Sequence, residues 1–422
     1  MLILKPFARA ALLLTAAGLL SCGAAVIAGA ALPRLQFIYL SDINIDNNLY
    51  LMDARSRVIH RITGKDGAFT SISPNEPTSA RDPAWSPDGS HIAFAAFQRS
   101  NYDIFRIAWD GTALTNLTRS PDLMETHPVW SPDGTRIAFI RQQGLNFSLM
   151  LMNADGSNLR RLAPTISSPP DPSWSPDGTR IAFLASTNNA TSDIFIIDVE
   201  PSEPLQPEST PEVTRSPDAA TLTPDQIRAQ AREQRREERR QRQAAEAAAA
   251  ALAAAAAETD ITRIPNVTRL TDTSPSEYFP VWSPDGSLIA YVHGIDGQAE
   301  LRVIDLLSGE VRVIASGLAL RTIAWSSHDG SPPMLAYEVF TRSTDSGVIR
   351  VTEQLAVSSH SGTLIAQRPT IAQHPAWSPD DSMVAFTFLS GTIDIYGMTI
   401  PDGHIFPLVT TTLTDSRPVW RP

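Results

Sequence analysis

Short apolar runs set off by polar turns recur along most of the chain. Ile92-Ala93-Phe94, Ile137-Ala138-Phe139, Ile181-Ala182-Phe183, Ile289-Ala290-Tyr291, Leu335-Ala336-Tyr337 and Val384-Ala385-Phe386 each read as the core of a short strand. Another strand follows, as in Asp193-Ile194-Phe195-Ile196-Ile197, then a Gly-containing turn such as Asp155-Gly156, then a fourth strand. A Trp stands just ahead of each run. Trp-Ser-Pro-Asp-Gly is intact from Trp85, Trp130, Trp174 and Trp282, worn from Trp325 and Trp377, and cut short at Trp420-Arg421-Pro422. The successive spacings are 45, 44, 108, 43, 52 and 43 residues. A period in the forties that holds several short strands predicts an all-β fold, a β-propeller with one blade per repeat.

The motif has a physical reading. Pro presets φ for the first turn position, Asp accepts from nearby N–H groups, and Gly takes the positive φ that closes the hairpin. Trp supplies a large apolar plate for packing between blades. These repeated Asp residues are therefore read as turn formers, not as catalytic carboxylates.

The ends of the chain fix the blade count. Phe37–Leu40, Asn48–Asp53 and Val58–Thr63 read as the second, third and fourth strands of a repeat without its Trp strand, and residues 417–420 form a Trp strand with nothing after it. The two halves complete one blade, giving seven, with the edges paired. Equivalent positions on the joined blades then place Arg417 beside Asp82. The blade of Trp325 departs most from the pattern, with strands read at residues 334–340, 350–358 and 364–367.

The 108-residue gap holds one blade plus an insert at residues 201–262, so the propeller spans residues 35–200 and 263–422. Residues 201–222 are rich in Pro, Ser, Thr and Glu and read as a linker. Thr223-Pro224-Asp225-Gln226 is a helix-start signature, and no Gly or Pro follows through residue 258. One long helix is expected, roughly 50 Å if straight. Arg228, Arg232, Arg235, Arg236, Arg239, Arg240 and Arg242 face Glu233, Glu237 and Glu238, a local charge of +4. That stretch is either a solvated helix stitched by Arg–Glu pairs or a docking element for an acidic partner or anionic lipid.

The 422 residues carry a formal charge of −11 and one cysteine. The acidic balance argues against nucleic acid as a partner, and one Cys excludes an internal disulfide framework and a Cys-based metal cage. Residues 1–34 read as a signal or anchor. Residues 10–32 hold no charge and follow Lys5 and Arg9, long enough to span a bilayer with the propeller outside. An uncleaved anchor is favoured. Two alternatives stay open: a lipobox-like Leu19-Leu20-Ser21-Cys22 with Cys22 lipidated, and a cleavage site at Ala28-Gly29-Ala30. All three export the chain.

No Gly-x-Ser-x-Gly elbow, His-Glu-x-x-His, phosphate-binding loop or EF-hand loop is present, so no catalytic residues, cofactor or metal are assigned. One constellation remains. Three residues before each motif Trp stand Arg417, Asp82, His127, Asp171, Phe279, Thr322 and His374. In a propeller these positions are equivalent, near the start of each innermost strand, and they are the candidate channel-mouth binding residues.

The repeat Pro-x-Trp-Ser-Pro-Asp-Gly, Ile-Ala-Phe, Asp-Ile-Phe, Asp-Gly, Leu-Thr resembles the TolB-type, WD40-like propeller repeat, over about residues 35–200 and 263–422. The resemblance implies a non-enzymatic, envelope-anchored scaffold that binds a protein or peptide at its funnel face. It departs from TolB in lacking the preceding α/β domain and in having seven blades where TolB has six. Lyases with this repeat hold a divalent metal on channel-facing His residues, and His127-Pro128 and His374-Pro375 resemble that arrangement. The alternative reading is therefore a metal-dependent polysaccharide lyase or related carbohydrate-active enzyme. Strand parity puts the Trp-Ser-Pro-Asp-Gly turns, the insert and the entry at Leu35 on one face. An anchor would hold that face to the bilayer and leave the other for a partner.

Overall fold

The computed structural model describes residues 35–422 except 44–45, 55–58, 64–76, 99, 145, 166–171, 187–190, 201–260, 262–263, 295–298, 319–321, 328–331, 346–347, 390–391 and 412. The expected anchor, Cys22, Asp171 and the helical part of the insert lie outside the described residues. Among those residues no helix is long and apolar enough to cross a membrane.

The described residues form seven four-stranded antiparallel sheets. Blade one is β1 (Gln36–Ile43), β2 (Asp46–Asp53) and β3 (Ile59–Arg61), with β28 (Thr414–Trp420) paired to β1. Blade two is β4 (Thr78–Trp85), β5 (His91–Gln98), β6 (Asn101–Ala108) and β7 (Thr115–Asn116). Blade three is β8 (Met124–Trp130), β9 (Arg136–Gln143), β10 (Asn146–Asn153) and β11 (Arg160–Thr165). Blade four is β12 (Ser173–Trp174), β13 (Arg180–Ala185), β14 (Asp193–Asp198) and β15 (Val267–Arg269). Blade five is β16 (Glu277–Trp282), β17 (Leu288–His293), β18 (Ala299–Asp305) and β19 (Val311–Leu318). Blade six is β20 (Ile323–Trp325), β21 (Met334–Asp345), β22 (Val348–Ser359) and β23 (Leu364–Pro369). Blade seven is β24 (Ala372–Trp377), β25 (Met383–Leu389), β26 (Ile393–Thr399) and β27 (Ile405–Val409). The expected closure of blade one by the last strand is present. The insert leaves after β14, and its two roots, Val199 and Ile261, are buried in one apolar cluster.

The turn motif works as its chemistry dictates. In the first copy Ser86 Oγ donates to Asp88 Oδ1 at 2.5 Å, Ser90 N donates to the same oxygen at 3.0 Å, and Gly89 has φ of 65°. Hydrogen bonds from Ser86 and Ser90 hold the Asp88 carboxyl down at about 2. Asp133, Asp177, Asp285 and Asp380 accept from the same pair of flanking positions.

The Trp side chains are seam pieces. Each packs in a cluster between sheets, and in six of the seven the indole N–H donates backwards to the carbonyl just before the preceding blade's Trp. Trp85 reaches Val419 O at 3.1 Å, Trp130 Ala84 O at 3.2 Å, Trp174 Val129 O at 3.4 Å, Trp325 Val281 O at 3.0 Å, Trp377 Ala324 O at 3.1 Å and Trp420 Ala376 O at 3.0 Å. The Trp282 indole N–H is buried without a partner. Arginines cover several of these rings: Arg136 stands 5.1 Å over Trp174, Arg180 4.6 Å over Trp282 and Arg421 5.5 Å over Trp85. Arg421 sits in the truncated last motif, yet performs for the first seam what the Arg after the turn performs elsewhere.

Candidate channel-mouth site

The innermost strands of successive blades lie beside one another around the axis. Because each sheet is antiparallel, first-to-second and third-to-fourth strand turns share one face. The starts of the innermost strands and the second-to-third turns share the other, and that second face carries the candidate ring.

The ring residues sit on a repeated backbone irregularity. Register shifts fall between Arg81 and Ala84, Thr126 and Val129, Tyr278 and Val281, and Gln373 and Ala376, and β28 shifts opposite Ile38 and Leu40. At each stands one ring residue in the left-handed region: Asp82 at φ 51°, His127 at 55°, Phe279 at 53°, His374 at 52° and Arg417 at 53°. Pro follows every one of them and disfavours a right-handed helical conformation at the residue before it. Thr322 is followed by Ile323 instead. A bulge bends the strand and re-aims its side chain. The re-aimed side chains of His127, Phe279, His374 and Arg417 are partly exposed and that of Asp82 is buried, while the Pro and Trp beside those four are buried.

Three ring members join. Arg417 Nη1 is 2.6 Å from Asp82 Oδ1, the pairing expected across the first seam. Arg81 Nε is 3.1 Å from Asp82 Oδ2, and His127 Nδ1 is 3.8 Å from it. Burial alone would raise the Asp82 carboxyl, but His127, Arg417 and Arg81 together hold it below the usual carboxylate value. The Phe279 ring lies 6.4 Å from that of Tyr278 on blade five. No group of three or more His, Cys, Asp or Glu able to hold a metal is found among the described residues, so His127 and His374 are not brought into one ligand set. With one partner half-exposed, the Arg417–Asp82 pair is expected to show a coupling of about 1 kcal/mol or less in a double-mutant cycle of Arg417→Ala and Asp82→Ala. Zero coupling would mean that the contact adds nothing to the seam.

Beneath the ring lies chemistry that the sequence reading missed. Two residues before the ring position, Glu125, Glu277 and Asp415 are wholly buried, each close to the acid that opens the third strand of the preceding blade: Asp103, Asp193 and Asp394. Glu125 receives Arg141 Nη2 at 2.6 Å and Ser120 Oγ at 3.0 Å. Glu277 accepts from Thr273 Oγ1 and faces His293 Nδ1 at 3.3 Å, while Asp193 accepts from Arg269 Nη2 at 2.7 Å. Asp415 accepts from Thr411 Oγ1 at 2.7 Å. One oxygen on each of Glu125, Asp193, Glu277 and Asp415 has no partner. Burial, reinforced by the neighbouring carboxylate, raises Glu125, Asp415 and, to about 7, Glu277. His293 is pushed the other way, below its ordinary value, by burial and by Arg302. The signal was available: an acid five residues before Trp in three repeats, and Asp at the head of each Asp-Ile-aromatic strand.

Fold and mouth together define a seven-bladed propeller whose own last strand closes it and whose central channel opens on a polar and aromatic ring. Residues 34–201 match the family model described as TolB beta propeller domain, and the propeller is of the TolB type. No curated protein sequence matches the chain. Among solved structures, TolB from Acinetobacter baumannii is similar at a TM-score of 0.46 and 15% identity, covering 89% of this chain and 79% of that one. Oligogalacturonate lyase in complex with manganese reaches 0.53 at 15% identity, covering 87% and 86%. Oligogalacturonate lyase from Vibrio parahaemolyticus reaches 0.53 at 13% identity, covering 87% of each chain. At these identities the likeness is one of fold.

Proposed function

We propose that the chain is an exported, envelope-anchored scaffold whose propeller binds a protein partner over the channel mouth. The observation that carries the reading is the bulged ring. Five blades hold Asp82, His127, Phe279, His374 and Arg417 in the same left-handed conformation at the start of the innermost strand, and their chemistry differs from blade to blade. A uniform frame with varied side chains suits recognition of an irregular surface. Around it stand further contact groups on the same face, among them Phe97 and Met124, 38% and 41% exposed. Anchoring is supported by the uncharged run at residues 10–32 behind Lys5 and Arg9.

The test places a photo-crosslinking residue at Met124 in the full chain, on intact envelopes. A discrete protein adduct is expected, reduced about ten-fold by the pair Phe279→Ala and His374→Ala, with the chain retained in the membrane pellet after alkaline carbonate extraction. An adduct indifferent to the ring variants but lost with Leu307→Asp, on the opposite face, would overturn the docking face. Release by carbonate would overturn the anchor.

A further inference from the structure

The channel mouth holds more cationic donor capacity than its own partners use. Arg81 and Arg417 lie on neighbouring innermost strands, β4 and β28, and both guanidinium groups close on the Asp82 carboxylate, at 3.1 and 2.6 Å. The Asp82 side chain is 5% exposed, whereas those of Arg81 and Arg417 are 36% and 38% exposed. One buried carboxylate therefore anchors two half-exposed guanidinium cations, which leaves one positive charge unmatched among the three groups.

Each guanidinium offers five N–H donors in a fixed fork, and Asp82 takes one from each in the plane nearest to it. Beyond Asp82, among the described residues, Arg81 has the Tyr102 ring, 5.2 Å away, and Arg417 a backbone bond from its N–H to Thr387 Oγ1 at 3.1 Å. The remaining donors belong to side chains that are 36% and 38% exposed. Neither arm swings freely: Arg81 is pinned between a carboxylate and a ring, and Arg417 leaves a bulge whose φ is 53°. Two cationic forks held in place lose little freedom on binding an anion, which makes the pair pre-organised.

We propose that Arg81 and Arg417 form a carboxylate-binding subsite that takes an Asp or Glu side chain from an extended segment of the partner. The proposal rests on the mouth being a protein-docking face and adds the chemistry read there. A single excess positive charge matches one carboxylate. The surface beside it is apolar and aromatic: Phe97 stacks edge-on against Tyr102 at 5.4 Å, and Met124 stands exposed on the next blade. Such neighbours suit the residues flanking an acidic side chain in a peptide.

The experiment is titration calorimetry of the full chain with four probes: the blocked peptide Gly-Phe-Glu-Glu-Phe-Gly, its Gln-Gln counterpart, digalacturonate and inorganic phosphate. The Glu peptide is expected to bind about ten-fold tighter than the Gln peptide, and tighter than either other anion. R81Q and R417Q should each cut that preference to about three-fold or less. R417K, which keeps the charge but not the fork, should retain part of it. Equal binding of the two peptides overturns the subsite, as does an undiminished preference in R81Q and R417Q. Tighter binding of digalacturonate or phosphate overturns the protein side chain as its source. A crosslinked partner without any Glu preference removes the subsite and leaves the docking face. A Glu preference without a crosslinked partner does the reverse.

Discussion

Deletion of residues 416–422 is expected to abolish cooperative folding of the propeller. The segment is most of β28, the innermost strand of blade one, and its loss uncovers the β1 edge from Phe37 to Leu40. Trp420 is 6% exposed, its ring centroid lies 5.1 Å from that of Phe37, and its N–H donates to Ala376 O across the seam to blade seven. Losing a buried Trp alone costs about 3–5 kcal/mol, a large part of the roughly 5–15 kcal/mol that holds a typical domain folded. Arg421 adds a second loss, because its backbone N–H and its Nη1 both bond to Gln36, at 2.7 Å each, and its guanidinium covers Trp85 and Trp109. Trp420→Ala should give the intermediate result, a folded protein with a thermal midpoint lowered by several degrees or more. The measurement is thermal unfolding followed by near-ultraviolet circular dichroism. An unchanged midpoint in the deletion would show that blade one does not depend on the C-terminal strand.

Closure was legible in the sequence because it follows from counting strands, and the strands follow from turns whose chemistry is local. Ser86, Asp88 and Ser90 bond to one another within five residues, so the motif states its own structure. The Arg417–Asp82 contact was legible for a related reason: a ring of equivalent positions makes neighbours of residues 335 apart in sequence. What stayed hidden depends on contacts that no local pattern encodes. Glu277 looks like any strand-start acid until His293 and Asp193, 84 residues before it, close around it. His293 is its cross-strand partner. The hairpin of blade six ran further than its apolar residues suggested. β21 and β22 pair from Met334 with Ser359 as far as Asp345 with Val348, so the polar stretch from Thr341 to Thr344 belongs to the ladder. The bulge conformation at the ring was also invisible, although the Pro after every ring residue but Thr322 was its visible half.

The buried acids give the second large effect, a propeller more stable at pH 5 than at pH 8. A carboxyl whose folded value is raised contributes stability that is full below its ordinary value and is lost as pH rises through the folded one. Glu277 moves from an ordinary 4.5 to about 7, because burial penalises its charge and Asp193 repels it more than Thr273, Thr271 and Arg302 compensate. Its window is therefore about pH 4.5 to 7, and the loss across it is on the order of 2–3 kcal/mol. At two other seams Glu125 and Asp415 are raised by the same causes and Asp103 by burial alone, and all three slope the same way. His293 opposes them. Its folded value is lowered, so it contributes stability above its ordinary 6.5 that is lost as pH falls, one group against four. The turn carboxylates Asp88, Asp133, Asp177, Asp285 and Asp380 are all lowered and add no slope here, because they are already ionised in both states at pH 5. Glu277→Gln keeps the acceptor for Thr273 and removes the titration. It should raise the stability measured in urea at pH 8 by about 1–3 kcal/mol, change it little at pH 5, and flatten the profile between them. A profile that rises from pH 5 to 8, or one that Glu277→Gln leaves unaltered, would mean that the seam carboxyls are ionised as freely in the folded chain as in the unfolded one.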